Sequence, residues 1–191
     1  KAAKHVVLTR TALQTAQRNG TLDQLKSWFE LTAPRSLAVE IATEVAEARE
    51  RRSKGSSMVT MTDDNRLMFH EVEAEDPALV EAEESAVMLE EWLQQNVQLR
   101  ARPLELLGRE SEGVRETIGA SSYDALELAA ALDLPLYADD LGLRRFMLFG
   151  KRLESFSTVA LTHALAERNL LSADERDRLL IRLVLDNYAF V

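Results

Sequence analysis

The spacing of apolar positions changes several times in the first third of the chain, which predicts a mixture of strands and helices. HVVLT (5–9) is a short β-branched run and predicts a first strand. RTALQTAQRNG and TLDQLKSWFE carry apolar residues at helical intervals and predict two helices, the second capped by Thr21. FELTAP predicts a second strand, and Pro34 opens a long helix that runs to about Arg52.

The middle of the chain combines a hairpin pattern with a second long helical pattern. SMVTMTDDNRLMFHEV alternates on both sides of a polar turn at 63–66, which predicts two antiparallel strands. Pro77 stands in the first turn of a helix that we expect over 76–95, and VQLRA predicts a further strand. PLELLGRESEGVRETIGASS predicts a short helix and a loop.

The last third gives the clearest alternation of helices and strands. SYDALELAAALD predicts a helix, LPLYA a strand, and DLGLRRFMLFG a helix that ends at Gly150. LESFS predicts another strand, and two helices with serine caps, STVALTHALAERN and SADERDRLLIRLVLDN, close the chain. Strands that alternate with helices favour an α/β fold with a parallel sheet.

Composition narrows the class of protein without naming a function. A chain of 191 residues is long enough for one domain, or one domain with an insertion. The absence of cysteine excludes disulfides and thiolate metal sites and fits a reducing cytoplasm. No apolar run reaches the roughly 20 residues of a membrane span, so we expect no membrane partner. Because the first residue is lysine, we expect a fragment of a longer chain or a processed one.

The formal net charge of −9 bears on possible partners. Domains that bind nucleic acid usually present a basic face, so this chain would need a local basic patch or a partner for that purpose. The acidic residues concentrate in HEVEAEDPALVEAEESAVMLEEW (70–92). This stretch is either a solvated helix face or a negatively charged interaction surface.

Two adjacent aspartates, Asp139 and Asp140, end the strand LPLYA. Ligands of open α/β sheets bind at the carboxyl ends of the strands, which is where these carboxylates lie. One of them can cap the next helix, but two adjacent carboxylates repel each other unless a cation or an arginine offsets the charge. The sequence therefore leaves two interpretations open, a helix cap and a ligand site.

Asp124 and Glu40 are two further carboxylates that are candidates for the same site. A helix that runs antiparallel to the following strand places its N-terminus near the carboxyl end of that strand, so Asp124 can approach Asp139 and Asp140. Converging carboxylates form an oxygen site that suits Mg²⁺ or Mn²⁺. The simpler interpretation puts Asp124 in a first helical turn, where the helix dipole favours a negative charge. Glu40 lies on the long helix after Pro34. It is either part of the site or an exposed residue on the far side of that helix.

Four blocks of the sequence, taken in order, resemble the PIN domain family. These are HVVLTRTALQTAQRNGTLDQL, APRSLAVEI, SYDALELAAALDLPLYADDLGLR and SFSTVALTHALAERNLLS. The chain is most similar to PIN-like domains associated with TPR and Gre-type elongation-factor modules in bacterial proteins. The resemblance implies one PIN-like α/β domain over residues 1–191, a three-layer sandwich around a central, mainly parallel sheet. The least similar region, about 54–110, is interpreted as an inserted β-hairpin and helix.

The resemblance also implies an activity and a set of site residues. Active PIN domains are metal-dependent nucleases, usually on RNA, in which carboxylates hold one or two Mg²⁺ or Mn²⁺ ions that activate water. Carried onto this chain, the catalytic and metal-binding acids are Glu40, Asp124 and Asp140, with Asp139 as a rival metal ligand. The first acid of the family falls on Thr9, whose hydroxyl is a poor substitute for a carboxylate.

Two more residues are candidates for contact with a phosphate. Arg144 lies four residues after Asp140, so it either pairs with that aspartate or contacts a phosphate backbone. Ser157 is a helix cap, or a phosphate contact in a loop that the resemblance places near the metal. Two hypotheses follow. The first is a metal-dependent ribonuclease that acts on RNA or another single-stranded nucleic acid. The second is a degenerate PIN domain that binds other domains or proteins of a larger assembly.

Overall fold

The computed structural model describes residues 5–61, 64–102, 109–148 and 151–185. The chain forms two compact units, one made of residues 1–37 and 96–191 and the other of residues 38–95. In chain order the elements are β1 His5–Leu8, α1 Arg10–Arg18, α2 Leu22–Trp28, β2 Glu30–Pro34, α3 Arg35–Lys54, β3 Ser56–Met61, β4 Leu67–Val72, α4 Pro77–Asn96, β5 Val97–Arg100, α5 Arg109–Ile118, α6 Ala120–Leu132, β6 Leu136–Tyr137, α7 Leu141–Arg145, β7 Met147–Leu148, β8 Lys151–Arg152, β9 Ser155–Phe156, α8 Thr158–Glu167 and α9 Ala173–Leu185.

The first unit contains a parallel sheet with the strand order β5-β2-β1-β6-β9. The central strand β1 pairs with β2 on one side, where Val6 lies opposite Leu31, and with β6 on the other, where Val7 lies opposite Leu136. Its valines and leucine are fully buried, as expected of a parallel strand covered on both faces. The prediction of an α/β fold around a mainly parallel sheet is confirmed.

Helix α6 packs closely against this sheet because one side of it carries small residues. Ala125 and Ala129 are fully buried in a cluster with Val7 and Leu136, and Leu126 is buried in the same cluster. Alanine also has the highest intrinsic helix propensity, so the same residues favour both the helix and its close approach. The helix ends at Asp133 in the left-handed conformation, with φ of 52°.

The prediction of a long helix from Asp140 to Gly150 is wrong over the part that the structure describes. Helix α7 ends at Arg145, and Phe146 is extended, with φ of −64° and ψ of 133°. Strands β7 and β8 then pair antiparallel, with Met147 opposite Arg152. The apolar run that looked helical is therefore half of a short hairpin, and Gly150 lies outside the described residues.

Two local predictions near helix ends also differ from the structure. Thr21 does precede α2, but its hydroxyl donates to the carbonyl of Ala16 at 3.3 Å and makes no capping bond. Pro34 is the last residue of β2, so α3 begins one residue later than predicted. At α9 the serine cap is confirmed, because Ser172 and Glu175 bond each other's backbone N–H groups at 3.2 and 2.8 Å.

The second unit contains the predicted hairpin and long helix. β3 and β4 pair antiparallel from Ser56 opposite Val72 to Met61 opposite Leu67, as the alternation predicted. Two arginines of α3, Arg49 and Arg52, lie 3.6 and 2.8 Å from Glu83 of α4. The single-domain organisation and the bounds of the insertion, 54–110, stay predictions. No helix in the described ranges is long and apolar enough to cross a membrane.

Candidate functional site at the carboxyl edge of the sheet

The carboxyl ends of the parallel strands lie along one edge of the sheet, which we call the carboxyl edge. Polar residues stand directly or shortly after each strand end: Thr9, Ser36, Arg102, Asp139 and Ser157. In open α/β folds this is the edge at which ligands bind. The sequence prediction that Asp139 and Asp140 lie at such an edge is therefore correct in position.

Thr9, at the end of β1, uses its side chain to join two strand ends. Its hydroxyl donates to the carbonyl oxygen of Tyr137 at 3.0 Å, and its backbone N–H donates to the same oxygen at 3.1 Å. The hydroxyl also accepts from the N–H of Ala12 at 3.4 Å and so caps α1. Only 1% of Thr9 is exposed. A carboxylate could not donate to that carbonyl, so an ionised acid at this position would lose the side-chain bond between the two strand ends.

Asp139 is buried, and the first residue of α8 contacts both of its carboxylate oxygens. Oδ1 accepts from the backbone N–H of Thr158 at 2.7 Å, and Oδ2 accepts from the Thr158 hydroxyl at 2.7 Å. Since that hydroxyl proton is used, Tyr137 is the donor in the 2.6 Å bond between its own hydroxyl and Thr158. Asp139 thus holds the N-terminus of α8 on the end of β6.

Asp140 is exposed and caps α7, accepting from the N–H of Leu143 at 2.9 Å. Of the two interpretations of the aspartate pair, the helix cap is confirmed for Asp140. Arg144 forms no ion pair with Asp140 among the described side chains, and its Nε is buried without a hydrogen-bond partner there. The predicted pairing of Arg144 with Asp140 is therefore wrong, while its contact with a phosphate stays a prediction.

Ser157 directly follows β9 and caps α8. Its hydroxyl accepts from the N–H of Ala160 at 3.3 Å, and the residue is buried. The cap interpretation is confirmed, and a role in phosphate contact stays a prediction.

Asp124 lies on α6 and is held by an arginine from α5. Arg115 donates from Nε to Oδ1 at 2.8 Å and from Nη2 to Oδ2 at 3.2 Å, a two-point contact that matches the planes of guanidinium and carboxylate. Arg102 Nε lies 3.8 Å from Oδ1. Because α6 begins at Ala120, Asp124 stands beyond its first turn, and the helix-dipole interpretation is wrong.

The electrostatics of Asp124 follow from these contacts. Burial raises the pKa of the Asp124 carboxyl, but hydrogen bonding and the charges of Arg115 and Arg102 lower it more, so the pKa lies below the ordinary value. The nearby Ser36 hydroxyl also lowers the pKa of Asp124, although its Oγ lies outside hydrogen-bonding geometry with any described residue. Arg115 is therefore the main group that keeps Asp124 ionised.

Glu127, one turn further along α6, is fully buried and pairs with Arg102. Arg102 Nε donates to Oε2, and Nη2 donates to Oε1 at 3.1 Å. Hydrogen bonding to Glu127 raises the pKa of Arg102 above its usual range. The guanidinium also lies 5.6 Å from the centre of the Tyr123 ring. We call the group Arg102, Arg115, Asp124 and Glu127 the α6 cluster, and its formal charges sum to zero.

The carboxylates do not gather at one point of the carboxyl edge. Asp124 lies beside Ser36 and Arg102, which come shortly after β2 and β5, whereas Asp139 lies beside Thr158 at the start of α8. Strand β1 runs between β2 and β6, so these two strands are about 10 Å apart at the usual strand spacing. Thr9, which carries no carboxylate, occupies the middle.

Glu40 lies on α3 within the second unit. In the described part of the first unit, no three side chains of the His, Cys, Asp and Glu types are placed to hold a metal ion. The assignment of Glu40 to the site stays a prediction.

A family model described as a PIN domain associated with the TPR-GreAB-C-PIN system matches residues 7–147. This chain belongs to the PIN domain family. The match covers β2, β5 and β6 and the second half of β1, and it includes the α6 cluster and both aspartates of the β6–α7 turn. No curated protein and no solved structure matches this PIN domain.

The family implies a divalent ion at the carboxyl edge, and the side chains there do not fit one in this arrangement. Thr9 donates a proton where the family has an acid, and Arg115 occupies both oxygens of Asp124. Asp139 has both oxygens hydrogen-bonded to Thr158. The binding of Mg²⁺ or Mn²⁺ by Glu40, Asp124, Asp139 and Asp140 remains a prediction.

Sequence reasoning missed three residues of this PIN domain: Arg102, Arg115 and Glu127. The sequence does carry one sign of them, because Glu127 stands among leucines and alanines three residues after Asp124. Two acids on one turn of a buried helix require positive partners. Spacing along the chain could not say which arginines supply them, since Arg102 follows β5 and Arg115 lies on α5.

Proposed function

We propose that this chain is a non-catalytic PIN domain that acts as a protein-binding module in the TPR-GreAB-C-PIN system. The observation that carries the proposal is the two-point contact of Arg115 with Asp124, next to an edge whose central position is Thr9. A divalent ion needs several oxygens within roughly 2.0–2.6 Å, and here the chain's own donors use those oxygens. The partners are TPR-containing and Gre-type modules, as the description of the family indicates.

A second candidate function is metal-dependent cleavage of RNA. It is favoured by the position of Asp139 and Asp140 at the ligand-binding edge of the fold and by membership of the family. Asp140 is exposed and uses one oxygen for its cap, so this carboxylate retains acceptor capacity. In this candidate Thr9 lowers affinity for the ion without abolishing it.

A thermal unfolding experiment separates the two candidates. The non-catalytic proposal predicts that millimolar Mg²⁺ or Mn²⁺ leaves the melting temperature within about 1 °C of its value in EDTA at matched ionic strength, because no ion binds the folded state. It also predicts no cleavage of a labelled single-stranded RNA. A rise in melting temperature that Asp140→Asn removes, together with RNA cleavage lost in the same variant, would establish the nuclease instead.

The binding half of the proposal is tested separately by titrating the purified chain with the purified TPR module of the system. We expect a saturable heat of binding that does not change when EDTA is added. A titration without heat at several temperatures, combined with no co-elution in gel filtration, would contradict the module.

A further inference from the structure

The α6 cluster stands out because two acids and two arginines from three separate segments meet on one helix. Asp124 and Glu127 lie on α6, Arg115 lies on α5, and Arg102 follows β5. The side chain of Glu127 is 0% exposed and that of Asp124 is 5% exposed. A buried carboxylate cannot stay ionised without a positive partner, so the arginines are a requirement of the buried acids.

The arginines neutralise the acids completely. Arg115 contacts both oxygens of Asp124, and Arg102 contacts both oxygens of Glu127 while its Nε stays 3.8 Å from Asp124. A divalent ion placed among the same carboxylates would supply the same two positive charges. It could not join them without adding an uncompensated charge of +2 to a partly buried region.

We propose that Arg102 and Arg115 are built-in cations that take the place of a divalent ion at this edge and fasten α5 and the end of β5 to α6. The inference rests on the proposed function and explains why no divalent ion binds: the positive charge that the carboxylates need is supplied by the chain's own arginines. A guanidinium cannot lose its proton at physiological pH, so this cation is permanent. The lowered pKa of Asp124 agrees with a carboxylate that is always matched by a positive group.

The test compares thermal unfolding of the parent chain with Arg115→Gln, Asp124→Asn and the double variant. Arg115→Gln removes the two-point contact of Asp124 and leaves it the more distant Arg102, so we expect the melting temperature to fall by roughly 5–10 °C. The double variant has a neutral amide pair and should melt well above Arg115→Gln. Glu116→Gln, an exposed position next to Arg115 on α5, is the matched control and should melt within about 1 °C of the parent.

A divalent ion gives the decisive readout. If Arg115 stands in for the ion, millimolar Mn²⁺ at matched ionic strength raises the melting temperature of Arg115→Gln by roughly 2–4 °C. Mn²⁺ should not change the melting temperature of the parent, of Glu116→Gln or of the double variant. Arg115→Gln without any response to Mn²⁺, or a double variant no more stable than Arg115→Gln, would overturn the inference.

Failure of this inference differs from failure of the proposed function. A parent chain that responds to Mn²⁺ and cleaves RNA contradicts the non-catalytic proposal. An unresponsive parent with an equally unresponsive Arg115→Gln keeps the non-catalytic proposal and removes the built-in cation.

Discussion

Two pairs of carboxylates lie along the same carboxyl edge and are stabilised in different ways. On α6, Asp124 and Glu127 are matched by guanidinium groups from other elements. At the β6–α7 turn, Asp139 and Asp140 are matched by backbone N–H groups and one hydroxyl at the starts of two helices. The carboxylates of both pairs have hydrogen-bond donors, but only the α6 pair is matched by positively charged side chains.

The difference follows from which hydrogen-bond donors each pair can reach. Glu127 is fully buried in the middle of a helix whose backbone N–H groups are already used, so only a side-chain cation can compensate it. The turn aspartates face helix N-termini, where free N–H groups and the helix dipole favour a negative charge. Two adjacent acids are therefore compatible with the turn without a metal, because each accepts a hydrogen bond from a backbone N–H at the start of a different helix.

The largest effect should come from removing the cation of the fully buried acid. Arg102→Gln leaves Glu127 without its ion pair, and we expect a loss of about 3–5 kcal/mol in the free energy of unfolding. Urea unfolding monitored by circular dichroism measures it. The double variant Arg102→Met/Glu127→Leu removes both charges and should recover most of the loss. If Arg102→Gln unfolds at the same urea concentration as the parent, the ion pair is not what stabilises this region.

The next effect separates the two turn aspartates from each other. Asp139→Ala strands the buried N–H and hydroxyl of Thr158 and should cost about 1–3 kcal/mol. Asp140→Ala removes one exposed cap and should cost about 1 kcal/mol. Equal losses in the two variants, measured by urea unfolding, would mean that burial does not distinguish the two aspartates.

The smallest effect is a change in pH dependence, because burial opposes the hydrogen bonds that lower the pKa of Asp124. A lowered pKa in the folded state contributes stability above the unfolded value, about 3.9 for aspartate, and loses it as pH falls through the folded pKa. We expect the urea midpoint of the parent to fall more steeply below about pH 4 than that of Asp124→Asn. Parallel curves between pH 6 and pH 2.5 would contradict this assignment.

Much of the fold could be predicted because its elements are encoded locally. The β-branched run at 5–9, the alternating hairpin around 63–66 and the serine-capped helices carry short-range patterns that the structure confirms. The prediction that the helix after Asp140 continues to Gly150 was wrong because it also rested on a short-range pattern. An apolar run such as FMLF fits a helix and a strand equally well, and pairing of Met147 with Arg152 decided between them.

By itself the sequence determined the class of fold, the family, and the position of Asp139 and Asp140 at the end of a strand. It also showed that Thr9 stands where an acid was expected. Only the tertiary structure decided which donors each acid meets. Arg102 and Arg115 reach α6 from 25 and 9 residues away along the chain, and Thr158 reaches Asp139 across 19 residues. A carboxylate's role depends on the charge and burial around it, and packing between distant segments sets both.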